Sequence, residues 1–260
     1  RRVRRDWPRS AVTIPCWPMQ ISKAKETPPP WAHLRRFTAA RIALGRTGGS
    51  QITRALLDFR LSHARARDAV HAEFRVEEFA LEMAARGRET IVLNSAAGSR
   101  REFLLRPDRG RRLSEESGKK LAESALGLGK RNLVVIISDG LSALAAQRHA
   151  AETAGRVCGL IERLGWTIYP VIIVPFARVK IQDEIGSILG ADLSLMLLGE
   201  RPGLGAPDSL GAYFTYRPSM NKTDADRNCV SNIRPEGLPP EEAARKIAAL
   251  VVKAVQMQAS

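Results

Sequence analysis

Cysteine, aromatic residues and long apolar runs are all scarce in this sequence of 260 residues. Its three cysteines, Cys16, Cys158 and Cys229, are scattered and form no CxxC pair, which excludes a disulfide framework and a zinc ribbon. No run of about 18 apolar residues occurs, so no segment is predicted to cross a membrane. Aromatic residues make up only 5%, and the sequence contains no RNP-like aromatic motif, zinc-finger spacing or helix-turn-helix signature. A recognisable nucleic-acid-binding module is therefore absent from the sequence.

The residue patterns of common catalytic sites are also missing. There is no GxSxG nucleophile elbow, and the four histidines share no metal-ligand spacing. The stretch GERPGLG at residues 199–205 lacks the Gly-Lys-Ser/Thr ending of a phosphate-binding loop, and Asp208 stands where GxGxxG needs its third glycine. We interpret this stretch as a turn in which Gly203 or Gly205 has a positive φ. The sequence thus predicts no catalytic residue and no metal ligand. A nucleotide-binding enzyme is one of three hypotheses for the function; the other two rest on the positive charge of the chain and on its motifs.

Positive charge is what the sequence has in excess. It holds 41 Lys and Arg against 27 Asp and Glu, a formal net charge of +14. Residues 1–112 hold 24 basic and 11 acidic residues, whereas the rest of the chain holds 17 and 16. The positive charge therefore belongs to the N-terminal part. It suggests an anionic partner there, either a polyanion or an acidic protein surface.

The periodicity of apolar residues predicts three parts. Residues 1–30 are rich in proline and arginine, have no helical period and lack the apolar core of a secretory signal peptide, so we expect a disordered extension. Residues 31–88 carry apolar positions at helical spacing and are predicted to form an N-terminal helical segment. Residues 89–260 alternate between continuous apolar runs and helical patterns, which is typical of a single α/β domain.

The fold class predicted for this last part is α/β, a Rossmann-like, mainly parallel sheet with helices on both faces. An additional strand at residues 213–216 is expected to be antiparallel and to lie at an edge of the sheet. The other predicted strands lie at residues 90–93, 132–137, 167–174 and 193–198, and the helices at residues 76–85, from 114, 142–164, 181–189 and from 239.

In such a sheet the loops that follow the strands form the ligand-binding crevice. Three of them carry distinctive residues: 138–140 (SDG), 178–183 and 199–205. Simpler interpretations are open for some of these residues: Asp139 and Gly140 as a turn, and Glu200 as one half of a surface ion pair. Cys229, which lies outside these loops, has the simpler interpretation of a small core residue. The patterns predict a binding crevice and specify no reaction.

Five motifs in order along the chain resemble the light chain of ethanolamine ammonia-lyase. An earlier stretch, LRRFTAAR at residues 34–41 followed by GRTG at 45–48, is also similar to the N-terminal helical part of that family. The resemblance extends from about residue 31 to the C-terminus. The five motifs are LRPDRGRRL (105–113), VIISDGLS (135–142), ARVKIQDEIG (177–186), LGERPGLG (198–205) and DRNCVSNI (226–233).

This resemblance implies a subunit of an adenosylcobalamin-dependent enzyme that converts ethanolamine to acetaldehyde and ammonia by radical chemistry. In the family, the cobalamin lies between the light chain and a heavy chain, a barrel that binds ethanolamine and carries the catalytic residues. The light-chain cobalamin contacts fall on Val179, Glu200 and Cys229. We expect apolar packing from Val179, a hydrogen bond to a corrin side-chain amide from Glu200, and a close, small contact from Cys229. Asp139 and Arg201 are expected only to shape the crevice.

The resemblance further implies a higher hetero-oligomer of heavy and light chains in the bacterial cytoplasm or in a bacterial microcompartment, with no nucleic acid and no membrane as partners. The basic helices around residues 35–67 are then expected to face the heavy chain or a neighbouring subunit. The alternative from another class is a stand-alone basic α/β protein that binds nucleic acid or another polyanion, with an affinity that falls steeply with salt.

Overall fold

A computed structural model of the chain describes residues 29–38, 40–46 and 49–260. The chain divides into two compact units between Ile52 and Thr53. In the first unit, Ala32–Phe37 form a 3₁₀ helix, and residues 40–46 contain neither helix nor strand, so the α-helical pattern expected from residue 31 is not realised there. Most of the expected extension, residues 1–28 with Cys16, lies outside the described residues. The division of the chain at residues 30 and 88 stays a prediction.

The second unit alternates helices with strands. A π-helical turn, Ala146–Ala150, joins α5 to α6, and short 3₁₀ helices lie at Arg109–Arg111 and Asp224–Asp226. In the described part of the chain, no helix is long and apolar enough to cross a membrane. The helices are α1 (Thr53–His71), α2 (Val76–Ala85), α3 (Arg100–Leu105), α4 (Glu115–Leu128), α5 (Ala143–Ala145), α6 (Ala151–Glu162), α7 (Ile181–Leu189) and α8 (Pro240–Met257), and the strands are β1 (Thr90–Val92), β2 (Leu133–Ser138), β3 (Val171–Ile173), β4 (Leu193–Gly199), β5 (Leu210–Tyr216) and β6 (Asn228–Ile233).

Local capping explains why several helix predictions are confirmed. Ser114 accepts a hydrogen bond from the backbone N–H of Ser117 and begins α4, and Gly190 ends α7 in the left-handed conformation with φ 64°. The helix predicted at residues 142–164 is instead interrupted by the π-helical turn. Helix α3 was not predicted; Ser99 caps it by accepting a hydrogen bond from the N–H of Glu102.

The sheet has the order β1-β3-β2-β4-β5-β6 and is mixed. Strands β1 to β4 are parallel to one another, whereas β5 pairs antiparallel with both β4 and β6. The α/β class is confirmed, and the mainly parallel description holds only for β1 to β4. The edge position predicted for residues 213–216 is wrong, because β6 pairs with the far side of β5. Strand β6 was missed because its sequence, NCVSNI, has too few apolar residues to predict a strand.

Helices cover both faces of the sheet, as predicted, and each face has its own core. Alternate residues of each strand point to opposite faces, so Val135 and Ile137 pack with α2, α6 and α8, while Val134 and Ile136 pack with α4 and α7. Both β2 and β4 are buried along their whole length, which is typical of the central strands of such a sheet.

Candidate functional site

A cleft with a volume of about 800 Å³ lies beside the two antiparallel strands, on the face of the sheet that α4 and α7 cover. Tyr213 of β5 and Cys229 of β6 stand directly opposite each other in the strand register and both line the cleft. Val179, in the turn before α7, and Met220 add apolar surface. The cleft thus lies beside β5 and β6, the antiparallel part of the sheet.

The walls of the cleft are strongly basic. Two carboxylates line it, and both are held by neighbouring arginines: Asp108 by Arg106, at 2.7 and 3.0 Å, and Asp224 by Arg227, at 3.2 Å. The cationic residues lining the cleft are Arg111, Arg112, Arg178, Lys180, Lys222 and Arg227. This distribution of charge favours a ligand that carries negative charge.

A buried ion pair between Asp183 and Arg227 stabilises one wall of the cleft. Asp183, in the first turn of α7, accepts two hydrogen bonds of 2.8 Å from Arg227, and Lys180 contacts it at 2.8 Å. Arg227 also donates to the hydroxyl of Thr215 on β5 at 3.3 Å. Burial lowers the pKa of Arg227, but the hydrogen bonds and charge of Asp183 outweigh it and raise the pKa above its ordinary value. The pair ties α7 to β5 and to the residue before β6.

Glu200 lies next to the cleft and is fixed by four donors. Its Oε2 accepts from the hydroxyl of Ser209 at 2.5 Å and from the N–H of Asn232 at 3.2 Å. Its Oε1 accepts from the hydroxyl of Ser231 at 2.6 Å and from that of Tyr213 at 3.4 Å. A carboxylate has about four acceptor positions, so only the long contact with Tyr213 is easily replaced. The surface ion pair offered as an alternative for Glu200 is wrong: hydrogen bonds hold it.

Tyr213 connects the residues predicted from sequence. Burial first, and then the negative charge of Glu200, raises the pKa of Tyr213 to about 12. Its hydroxyl therefore stays protonated at neutral pH and acts as a hydrogen-bond donor. Val179 and Cys229 line the cleft together, and Glu200 adjoins it through Tyr213. Cys229 is exposed, so its interpretation as a core residue is wrong.

Asp139 directly follows β2 and is 1% exposed. It accepts hydrogen bonds from the N–H of Phe176 at 2.7 Å and from Arg100 at 3.1 Å, and so ties the end of β2 to the loop after β3 and to α3. Burial raises the pKa of Asp139, and the charge of Arg100 offsets this only in part. Asp139 shapes the strand end and does not line the cleft, and neither does Arg201.

The glycine-rich loop after β4 does not have the backbone expected of it. Within the described residues the positive-φ glycines include neither Gly203 nor Gly205. A short turn, in which Gly203 and Ala206 exchange backbone hydrogen bonds of 3.0 and 3.3 Å, forms the loop instead. Asp208 is held by Arg148 and Arg234, both at 3.1 Å. The loop is thus anchored by the protein itself, and it offers no phosphate cradle.

Sequence reasoning missed Tyr213, Arg178 and the pair of Asp183 with Arg227. Arg178, Asp183 and Arg227 lie inside two of the recognised motifs, and Tyr213 begins a predicted strand; these positions were the only signals for them. No group of three or more His, Cys, Asp and Glu side chains suited to a metal ion occurs in the described ranges.

Comparison with known proteins gives one consistent result. A family model described as the ethanolamine ammonia-lyase light chain matches residues 28–260. Proteins named ethanolamine ammonia-lyase small subunit from Pseudomonas syringae pv. tomato (strain DC3000), Pseudomonas fluorescens (strain SBW25) and Pseudomonas putida (strain KT2440) are 50%, 49% and 50% identical to it over 232 residues. The matches cover 89% of this chain and 81%, 84% and 85% of those proteins.

Proposed function

Because this chain belongs to the ethanolamine ammonia-lyase light-chain family, and so is a subunit of a lyase, we propose that it holds adenosylcobalamin against a large, catalytic subunit. The observation that carries the proposal is the convergence of Val179, Cys229 and Glu200 on one cleft and its edge. The resemblance to the family had assigned cofactor contacts to these three residues, which lie in separate motifs of the sequence.

The residues present fit a cobalamin. The cleft is open, so it suits one side of a large ligand whose other side a second chain would cover. Val179, Tyr213 and Met220 provide apolar surface for a corrin or its base. Arg178 lines the cleft, and its side chain donates one hydrogen bond within the described residues, to the carbonyl oxygen of Phe103 at 3.0 Å, so the remaining donors of its guanidinium suit an acceptor on the ligand.

Each predicted contact residue has a physical role in this proposal. Val179 packs against the ligand, and the small side chain of Cys229 allows close approach without acting as a nucleophile. Glu200 accepts a hydrogen bond from a corrin side-chain amide in place of the 3.4 Å contact with Tyr213. The freed Tyr213 hydroxyl, protonated because of its raised pKa, can then donate to the ligand.

The chemistry itself comes from outside this chain. When bound, adenosylcobalamin supplies a radical through homolysis of its cobalt–carbon bond. In our proposal the large subunit binds ethanolamine and carries the catalytic residues. The residues of the present chain position the cofactor and exclude water from its covered side. The proposed location is the bacterial cytoplasm or a bacterial microcompartment.

The reactivity of Cys229 tests the proposed site in the complex with the large subunit. Cys229 is exposed, whereas Cys158 is buried and burial raises its pKa to about 11, so a thiol reagent at pH 8 should modify Cys229 fast and Cys158 slowly. A Cys16→Ser background removes the third thiol. We expect bound adenosylcobalamin to slow the modification of Cys229 at least about 10-fold, because the ligand would cover the thiol. We also expect the complex to deaminate ethanolamine only when this cofactor is present.

A complex that deaminates ethanolamine without cobalamin would contradict the proposed function. An unchanged rate of Cys229 modification with cobalamin bound would contradict the proposed site alone. Cys158→Ala serves as the matched control, because it should leave the fast, protected thiol in place. Salt-sensitive retention of nucleic acid without any binding of cobalamin would favour the alternative, a stand-alone polyanion-binding protein.

Helix α1 is proposed as part of the surface that docks onto the large subunit. It buries only Ala55 and Ala69, while Leu57 and Leu61 are more than half exposed and lie one helical turn apart. Arg54 and Arg60 share this side of the helix by their spacing. An exposed apolar stripe edged by arginines is typical of a protein–protein contact.

Charge reversal tests this docking surface. We expect Arg54→Glu/Arg60→Glu to weaken assembly with the large subunit at least about 10-fold, measured by co-purification at equal expression, because charge repulsion at an interface costs several kcal/mol. Lys119→Glu on α4 is the control, since Lys119 is exposed far along the chain from α1 and pairs only with Glu115 in the described structure. Unchanged assembly of the double variant would refute the assignment of α1.

A further inference from the structure

Arg178 is a cation in the cleft wall that contacts no carboxylate of the described residues. Its guanidinium lies 4.1 Å from the centre of the Phe103 ring and donates one hydrogen bond, of 3.0 Å, to the carbonyl oxygen of Phe103. Its Nε is buried and has no partner among the described residues. Burial first, and then the positive charges of Arg111, Arg100 and Arg201, lower the pKa of Arg178. The side chain therefore lies in a positive environment that an anion would relieve.

The backbone around Arg178 fixes its position. The N–H of Arg178 donates to the carbonyl oxygen of Gly110 at 2.7 Å. A Cβ atom on Gly110 would lie 2.9 Å from Cγ of Arg178 and 3.1 Å from the Phe103 ring, so only glycine leaves room for the arginine between these neighbours. Fixing a long side chain before the ligand arrives reduces the entropy lost on binding.

Arg111 projects into the same cleft from the loop that contains Gly110. Its side chain makes no hydrogen bond or ion pair with any residue in the described ranges. The next residue, Arg112, also lines the cleft, but Glu184 holds it with contacts of 3.1 and 3.3 Å. Arg111 and Arg178 are thus the two arginines of this wall whose charge no carboxylate of the described chain neutralises.

Two arginines with free donors suit a phosphate group, because a planar guanidinium matches the spacing of phosphate oxygens. Adenosylcobalamin carries one such group, the phosphodiester of its nucleotide loop, while the side-chain amides of its corrin ring are neutral. We propose, on the basis of the proposed function, that Arg111 and Arg178 bind this phosphodiester. The cleft then selects cobalamins that carry the complete nucleotide over cobinamides that lack it.

The test measures the binding of cyanocobalamin and of cyanocobinamide to the assembled complex by equilibrium dialysis, with visible absorbance as the readout. We expect the wild type to prefer cyanocobalamin, and Arg178→Gln to weaken cyanocobalamin binding roughly 10- to 100-fold, as the loss of a charged hydrogen-bonding partner does. Binding of cyanocobinamide should change by less than about 3-fold, since it has no phosphodiester for the arginine to bind. Arg111→Gln should have the same selectivity with a smaller effect.

Control variants separate this role from a general loss of structure. Arg109→Gln removes a cation of the same loop that pairs with Glu102 and does not line the cleft, so it should change neither affinity. Arg178→Lys keeps the charge without the planar fork and should restore part of the preference. Inorganic phosphate should compete with cyanocobalamin and leave cyanocobinamide binding unchanged.

Equal weakening of both ligands by Arg178→Gln and Arg111→Gln would overturn the proposal, and so would a preference for cyanocobalamin that survives both substitutions. Failure of the wild-type complex to bind either corrinoid would instead refute the proposed function. These outcomes therefore distinguish an error about the arginines from an error about the cofactor.

Discussion

Replacing Gly199 with alanine is expected to prevent folding of this chain or to destabilise it by at least about 4 kcal/mol, the range reached only when a backbone or core cannot adapt. A Cβ atom at this position would lie 2.1 Å from the carbonyl oxygen of Ser142 and 2.4 Å from that of Asp139. Both atoms belong to the backbone and cannot move aside as a flexible side chain would. Gly199 ends β4 where it packs against the turn after β2, and its own carbonyl oxygen accepts the N–H of Leu141 at 2.8 Å.

Thermal unfolding and soluble yield measure the effect. A loss of about 4 kcal/mol corresponds to a fall in Tm of roughly 8–16 °C for a domain of this size. Gly205→Ala in the same loop is the matched control, because its Cβ would meet nothing within 4 Å and its φ is not positive. A Gly199→Ala variant as stable as Gly205→Ala would show that the ends of β2 and β4 are not packed as described.

Asp183→Asn is expected to destabilise the protein by about 3–5 kcal/mol, because it removes the only buried carboxylate that pairs with Arg227 in the described residues and leaves that buried charge with the exposed Asp224 alone. The side chain of Asp183 is fully buried and that of Arg227 is 4% exposed. Asparagine keeps the size of the side chain but can accept only one of the two 2.8 Å hydrogen bonds. The expected fall in Tm is roughly 6–20 °C.

The matched control is Asp224→Asn, which removes the other carboxylate that contacts Arg227. Asp224 is 89% exposed, and its loss should cost less than about 1 kcal/mol, as for other surface ion pairs. Removing both buried charges with Asp183→Leu/Arg227→Met should cost less than Asp183→Asn alone, because no charge is then left buried without a partner. If the double variant is the less stable of the two, the ion pair itself contributes more than its desolvation costs.

Local sequence signals predicted the elements that depend on their own residues. The continuous apolar runs of β2 and β4 and the capped helices α4 and α7 carry their periodicity and their end signals within a few residues. Strand β6 does not: it is half polar, and contacts with its partner β5 and with helix α8, outside its own residues, stabilise it. Its absence from the prediction led to the wrong edge position for β5.

The candidate site shows the same division. The apolar periods of the sequence by themselves determined the α/β class and a crevice at the strand ends, because such periods are local properties of the chain. The choice of Val179, Glu200 and Cys229 came from the resemblance of its motifs to a known family. Only the tertiary structure decided that Val179 and Cys229 share a cleft, that four donors hold Glu200, and that Arg178 has no carboxylate partner among the described residues. These facts depend on contacts across tens of residues, and whether a charge is neutralised is decided by the groups that surround it in space.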